Sequence, residues 1–298
     1  MNHHPKIIVR VLGGLGNQLF CYAAARRLAI VNNAELAIDH VSGFTYDHNY
    51  KRNYQLDHFN IPCRKATAAE RMEPFARIRR YIKREVNRCR SFTARSYIKQ
   101  EGIDFDQRLL SVRQRGKVYL EGSWQSQNYF KDVDAQIRQD LRIISPMDIT
   151  NQSMAKRIRA CQAVAIHVRF FDEPQAQGIN NVHNNYYVRA IARMEIIAPN
   201  AKYFVFSDNP AAALACIPLP ENRLVLVTHN NGEDSAFADL WLMSLCQHFI
   251  IANSTFSWWG AWLADLNTKK VISPGSPKRH GVSSWGFDGL LPEEWLKI

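Results

Sequence analysis

A chain of 298 residues, 46% apolar and 22% charged, can bury enough surface to offset its conformational entropy, which excludes extended disorder and leaves room for one large or two medium cores. Six widely spaced cysteines without a C-x-x-C pair argue against a disulfide framework or a zinc site, and Met1–Pro5 lacks the apolar core of a secretory signal, so a reducing cytoplasm is the expected setting. The net charge of +11 would suit nucleic acid, but residues 64–99 alone hold twelve Lys/Arg against three Glu, so the excess belongs to one stretch and nucleic acid is not expected as a partner.

The first elements follow from pattern. Ile7–Leu12 is a β-branched apolar run that leads into Gly13-Gly14-Leu15-Gly16 and a helical stretch from Asn17 to Val31. A strand over Ala34–Ile38 completes a β-α-β unit and implies a parallel sheet. Residues 42–63 lack a clear period and read as a loop.

Helices are predicted across 66–97, a basic helical insert in which Phe75, Ile78, Ile82, Val86 and Cys89 recur at steps of three and four. Two readings of 64–99 stand side by side. One is a solvated basic face on a helix docked to its own domain; the other is a surface that meets anionic lipid headgroups or a lipid-linked phosphorylated glycan, placing the protein at the inner face of the membrane.

A short strand over Val118–Glu121 and a helix over Phe130–Leu141 precede a boundary at Ile144-Ser145-Pro146. Strands are then predicted over Ala163–Val168, Lys202–Ser207, Arg223–Val227, His248–Ala252 and Lys270–Ser273, with helices over Asn185–Ile197, Ala211–Ala215, Ser235–Leu245 and Thr255–Leu266 between them. This alternation makes a doubly wound sheet. Leu240–Ala264 carries no Asp, Glu, Lys or Arg and could span a bilayer by length, but its central polar residues favour a helix, a strand, a polar turn and a second helix. The expected organisation is a first domain over 1–146, a second over 147–275 and a tail over 276–298 that packs back on the first domain.

Ligands of doubly wound sheets bind beyond the carboxyl ends of strands, and four motifs fall there. Gly14, Gly16, Asn17 and Gln18 open the first helix, where glycines allow close backbone approach and amides can bond sugar hydroxyls; a purely structural turn is the alternative. His167-Val168-Arg169 ends a strand, and its guanidinium can neutralise a diphosphate or pair with Asp172. Ser207-Asp208-Asn209-Pro210 offers either a carboxylate for the N1 and N2 edge of guanine or a helix cap. Asn253, Ser254, Thr255 and Ser257 open a helix whose N-terminus suits an anion. The triplets Asp104-Phe105-Asp106 and Asp132-Val133-Asp134 have the D-x-D form of metal-dependent sugar transferases but follow no buried strand, so no metal and no cofactor are expected.

Together these residues resemble the glycosyltransferase family that contains the bacterial α-1,2-fucosyltransferases, glycosyltransferase family 11. The matching stretches are GGLGNQLFCYAAARRLA from Gly13, the Gly43 to Phe59 segment with Tyr50-Lys51-Arg52, LEGSWQSQNYF from Leu120, IHVR from Ile166, FSDNP from Phe206 and DLWLMSLCQHFIIANSTFSWWGAWL from Asp239. The resemblance implies a GT-B fold of two Rossmann-like domains facing a cleft, with an N-terminal acceptor half and a C-terminal donor half. It also implies inverting, metal-independent transfer of L-fucose from GDP-β-L-fucose to O2 of galactose in an oligosaccharide acceptor.

On that resemblance Arg169, His167 and Asp172 match the catalytic motif, and Asp208, Ser207, Asn253, Ser254, Thr255 and Ser257 fall on the donor side. The family usually reads H-x-R-R-x-D, whereas Phe170 and Phe171 stand here. Arg10, Lys278 or Arg279 could supply the missing charge, or the phenylalanines could reshape the pocket for another GDP-deoxysugar. Asp172, Glu121 and Asp39 are the candidate general bases by their places near strand ends.

Overall fold

In the computed structural model, which describes residues 4–48, 50–113, 115–174, 180–280 and 283–298, the first apolar run is strand β1 (Lys6–Arg10). Ile7, Ile8 and Val9 are wholly buried, as expected of a parallel strand covered on both faces. Helix α1 (Leu15–Val31) begins two residues before the predicted start and buries thirteen of its seventeen residues, which is why its sequence shows no polar stripe. Strands β2 (Glu35–Asp39), β3 (Arg64–Lys65), β4 (Tyr97–Lys99) and β5 (Lys117–Glu121) complete a parallel sheet of order β3-β2-β1-β5-β4. The helical insert expected across 64–99 is corrected on this point: the helix is confined to α2 (Ala76–Arg88), and the residues flanking it supply both edge strands. Thr67 and Glu70 exchange cap-like bonds of 2.9 and 3.3 Å around a single turn, and Pro74, which cannot continue a helical ladder, separates that turn from α2. Of the predicted 130–141 helix, α3 (Asp134–Asp140) is α-helical and short 3-10 turns precede it.

The second sheet contains β6 (Ala163–Val168), β7 (Lys202–Ser207), β8 (Leu224–Val227), β9 (His248–Ile250), β10 (Val271–Ser273) and β11 (Leu296–Lys297). Its order is β11-β10-β9-β6-β7-β8, all parallel, so the chain reverses its direction of travel across the sheet between β6 and β9. The helices are α4 (Ile149–Arg159), α5 (Asn184–Ile197), α6 (Pro210–Ala215), α7 (Ala236–Ser244) and α8 (Thr255–Leu263). α4 was not evident in the apolar pattern; Asp148 starts it by accepting the Asn151 N–H at 2.7 Å.

The uncharged 240–264 stretch resolves into α7, β9, a polar turn and α8, and among the described residues no helix is long and apolar enough to cross a membrane. Two units emerge, Met1–Ile144 with Asp288–Leu290, and Ser145–Phe287 with Leu291–Ile298. Each is a Rossmann-like α/β unit, the GT-B pattern. From the 276–298 tail, Asp288–Leu290 group with the first unit, whereas β11 extends the second sheet beside β10.

Candidate active site

The second unit gathers its candidate residues at the carboxyl edge of β6, β7 and β9, on either side of the switch point where such sheets bind ligands. Register explains the meeting. Val168 pairs with Ser207, so the next residues, Arg169 and Asp208, lie side by side, and Arg169 Nη1 stands 3.1 Å from Asp208 Oδ2. Ile166 pairs with Ile250, so Arg169 and Asn253 each come three residues beyond a matched position on neighbouring strands. The His167 ring lies 5.7 Å from that of Phe256, which confirms that the end of β6 meets the first turn of α8.

Arg169 therefore pairs with Asp208, while both Asp172 oxygens accept from Asn180, Oδ1 from its side-chain amide at 2.8 Å and Oδ2 from its backbone N–H at 2.9 Å. The two phenylalanines have distinct places. Phe170 packs against the core of the unit and its N–H donates to Asp208 Oδ1 at 3.2 Å. Phe171 lies under the Arg169 guanidinium, 5.4 Å away, a cation–π contact that fixes the plane of the charge.

Asn180 joins these pieces to α8. Its carbonyl accepts from Asn253 Nδ2 at 2.9 Å, and its side-chain oxygen accepts from Lys278 Nζ at 2.8 Å and Ser283 Oγ at 3.1 Å. Asn253 Oδ1 is buried and meets no donor among the described residues. At the mouth of α8, Ser254 caps the helix by accepting the Phe256 N–H at 3.3 Å, and Thr255 is the first helical residue. Ser257 is fully buried and its hydroxyl donates back to the Ser254 carbonyl at 3.2 Å, so it supports the turn instead of facing a ligand. Ser207 Oγ accepts the Asn209 N–H at 3.1 Å, and Asn209 caps α6 with Pro210 at its first position. His167 is buried with Nδ1 unpartnered among the described residues; desolvation, reinforced by the Arg169 charge, pushes its pKa down to about 3. The imidazole is thus neutral, and its ring packs against Phe256.

The first unit has its own carboxyl edge. Gly13, at φ +73°, makes the turn into α1, and Gly14 is the residue before the first helical turn, in which Gly16 is buried. Gln18 is wholly buried: its amide donates to the Gly13 and Asn53 carbonyls at 2.9 and 2.8 Å and accepts the Gln55 N–H at 3.0 Å. That side chain stitches the glycine turn to the 53–55 segment and is not offered to a sugar, which corrects its expected role. Asn17 stays partly exposed and accepts from Gln125 Nε2 at 2.9 Å.

Of the candidate bases, Asp39 is fully buried and receives Val41 N–H, Ser42 N–H and the Tyr119 hydroxyl at 3.2, 2.9 and 2.5 Å. Glu121, at the end of β5, instead lines a cavity of about 570 Å³ together with Arg10, Arg77, Arg80, Arg84 and three tyrosines. Arg10 Nη1 lies 3.1 Å from Glu121, whose other oxygen accepts from Tyr97. The D-x-D carboxylates are engaged elsewhere: Asp106 pairs with Arg108 and Asp132 with Arg27, both at 2.7 Å.

Sequence reasoning missed Asn180, Ser283 and the arginines of α2 as parts of these edges. Only the basic run of α2 left a signal, in its charge count.

Glycosyl transferase family 11 matches residues 6–284. An Escherichia coli alpha-1,2-colitosyltransferase is 27% identical over 98% of both chains. The O-antigen biosynthesis glycosyltransferase WbnK of Escherichia coli is 28% identical over 96% of this chain and 98% of its own. Among solved structures, the fucosyltransferase NodZ from Bradyrhizobium superposes with a TM-score of 0.55 at 13% identity, covering 86% of this chain and 91% of NodZ. An Arabidopsis thaliana FUT1 variant in complex with GDP gives 0.53 at 12% identity, covering 95% and 72%. The structural matches carry the fold, and the family match spans nearly the whole chain: the protein belongs to glycosyl transferase family 11 and is a glycosyltransferase.

Proposed function

We propose that the protein transfers a 6-deoxy-L-hexose from its GDP-β-L conjugate to a hydroxyl of a glycan acceptor, with inversion and without a metal ion. The observation that carries this reading is Arg169, held by Asp208 and Phe171 at the switch point beside the start of α8. A guanidinium and a helix N-terminus together suit the charge that develops on a departing nucleoside diphosphate, and preorganised donors of this kind are usually the largest catalytic contribution. Asp208 is proposed to orient Arg169 and to read the guanine edge; Asn253, Ser254 and Thr255 are proposed on the phosphates. Glu121, opening into a cavity of the first unit, is the proposed acceptor-side base.

L-fucose is the first candidate sugar and O2 of galactose the first acceptor position. NodZ has been crystallised with GDP-fucose, which is compatible with that donor. A second reading, GDP-colitose, is favoured by the likeness to a colitosyltransferase and by Phe170, which packs against the core where the family usually has a second arginine and so leaves the site without that polar group. A site that lacks a polar partner does not discriminate against a sugar with one hydroxyl fewer.

Competition assays with GDP-fucose, GDP-colitose and GDP-mannose on galactoside acceptors, with product linkage read by NMR, test both readings. Turnover of fucose alone leaves the first, preferential turnover of colitose selects the second, and exclusive use of GDP-mannose removes both.

A further inference from the structure

Helix α2 is docked to its unit by its polar side. Asn87, its one buried residue, accepts the Ser96 and Tyr97 N–H groups at 2.8 and 3.3 Å, and Arg80 reaches Ser42 Oγ at 2.9 Å. At 3.6 residues per turn, Arg80, Arg84 and Asn87 share the inner face, and Ile78, Ile82 and Val86 stand on the opposite one. The preceding residue, Phe75, continues that outer stripe. Phe75, Ile78, Ile82 and Val86 keep 72, 58, 54 and 54% of their surface exposed. The expected arrangement of an amphipathic helix on a globular unit is therefore reversed: cations face the protein's own cavity, and aliphatic side chains face outward.

We propose that this outward face of α2 seats the protein on an anionic lipid bilayer. Of the six cationic side chains of α2, Arg77, Arg80 and Arg84 line the cavity; Arg79, Lys83 and Arg88 lie outside it against Glu85 alone and, beside an aliphatic stripe, suit a helix that lies in the headgroup plane, where the stripe enters the acyl boundary and these three cations meet lipid phosphates. Charge sets the choice of occupant. A second copy of the same helix would bring like charges together, and nucleic acid would engage the arginines while leaving the stripe in water. The inference does not depend on which donor sugar the enzyme uses.

Flotation of the full chain with phosphatidylcholine vesicles, with and without phosphatidylglycerol, tests it. The protein is expected to float with the anionic vesicles and to remain behind with neutral ones. The combined Ile78→Ser, Ile82→Ser, Val86→Ser variant keeps every charge and is expected to lose at least about tenfold in partition, since burying one aliphatic side chain is worth on the order of tenfold. Because those side chains are exposed, its melting curve and its affinity for GDP are expected to be unchanged. The combined Arg79→Glu, Lys83→Glu variant should release the protein from anionic vesicles as well. Failure of the unaltered protein to float overturns the proposal. So does equal binding of the serine variant, which would mean adsorption by charge alone, or a dimer in solution that the serine variant dissolves, which would assign the stripe to a protein contact.

Discussion

Arg169 and Asp208 stand 3.1 Å apart across the ends of β6 and β7, and the same guanidinium lies 5.4 Å from the ring of Phe171. A cation gripped on one side by a carboxylate and on one face by an aromatic ring loses little freedom when a diphosphate arrives. On the proposed reading, removing it leaves the departing diphosphate without its fixed counter-charge. Arg169→Ala is expected to lower kcat by a factor of order 10²–10³, as removal of one preorganised donor does. Arg169→Lys should recover only part of this, because an ammonium cannot reproduce a planar fork. Steady-state kinetics at saturating donor, alongside calorimetric GDP titration, measures both effects; an Arg169→Ala enzyme with near-normal kcat would remove the residue from the mechanism.

The pairing that makes this site could not be read from the sequence, although its members could. Arg169, Asp208 and Asn253 are legible because each follows a buried apolar run and must therefore lie at a strand end. Their mutual positions depend on the register Val168 to Ser207 and Ile166 to Ile250, which no local pattern encodes. Hence the sequence offers Asp172, near at hand, as the ion-pair partner of Arg169, whereas the fold supplies Asp208. The core of the second sheet was legible for the same reason, since β6 and β7 are continuous apolar runs. β3 and β11, two residues each with Arg or Lys, owe their identity to the neighbour they pair with. Asn180 and Ser283 lie 103 residues apart and meet only through the fold.

Asn180 is the joint of the network that links Asp172, Asn253, Lys278 and Ser283, and on the proposed reading its loss should be felt in binding before chemistry. Asn180→Ala removes the amide that bonds Asp172 and the oxygen that receives Lys278 and Ser283. Bonds to charged groups contribute about 1.5–3 kcal/mol, so GDP affinity is expected to weaken by roughly ten- to a hundredfold through a loosened loop. Calorimetric titration of GDP into the variant reads this directly. An unchanged affinity would show that the network serves stability alone, which a urea melt would then register.

Asp239 gives a pH-dependent expectation of one sign. Burial lifts its carboxyl to about 7, partly offset by the Asn230 amide at 2.7 Å. The folded protein then keeps a proton that the unfolded chain releases near its ordinary value, so this group's contribution to stability falls as pH rises from about 4 through 7. Asp239→Asn preserves shape and hydrogen bonding without the buried charge. Relative to the unaltered protein, the variant should gain on the order of 1–3 kcal/mol more at pH ~8 than at pH ~5, by urea unfolding at each. Equal effects at both would contradict the raised value.

His167 predicts the opposite slope. Its pKa is pushed down to about 3 by burial, so between 3 and the ordinary histidine value near 6.5 the unfolded chain binds a proton that the folded one refuses. Stability from this group is therefore complete above about 6.5 and is lost at about 1.4 kcal/mol per pH unit as the solution is acidified. His167→Gln lacks that proton in either state. Whatever the substitution costs in packing against Phe256, the gap between the two proteins should narrow on going from pH ~7 to pH ~5, by roughly 2 kcal/mol. Urea unfolding at the two values measures the narrowing. A constant gap would mean that the imidazole titrates normally inside the fold.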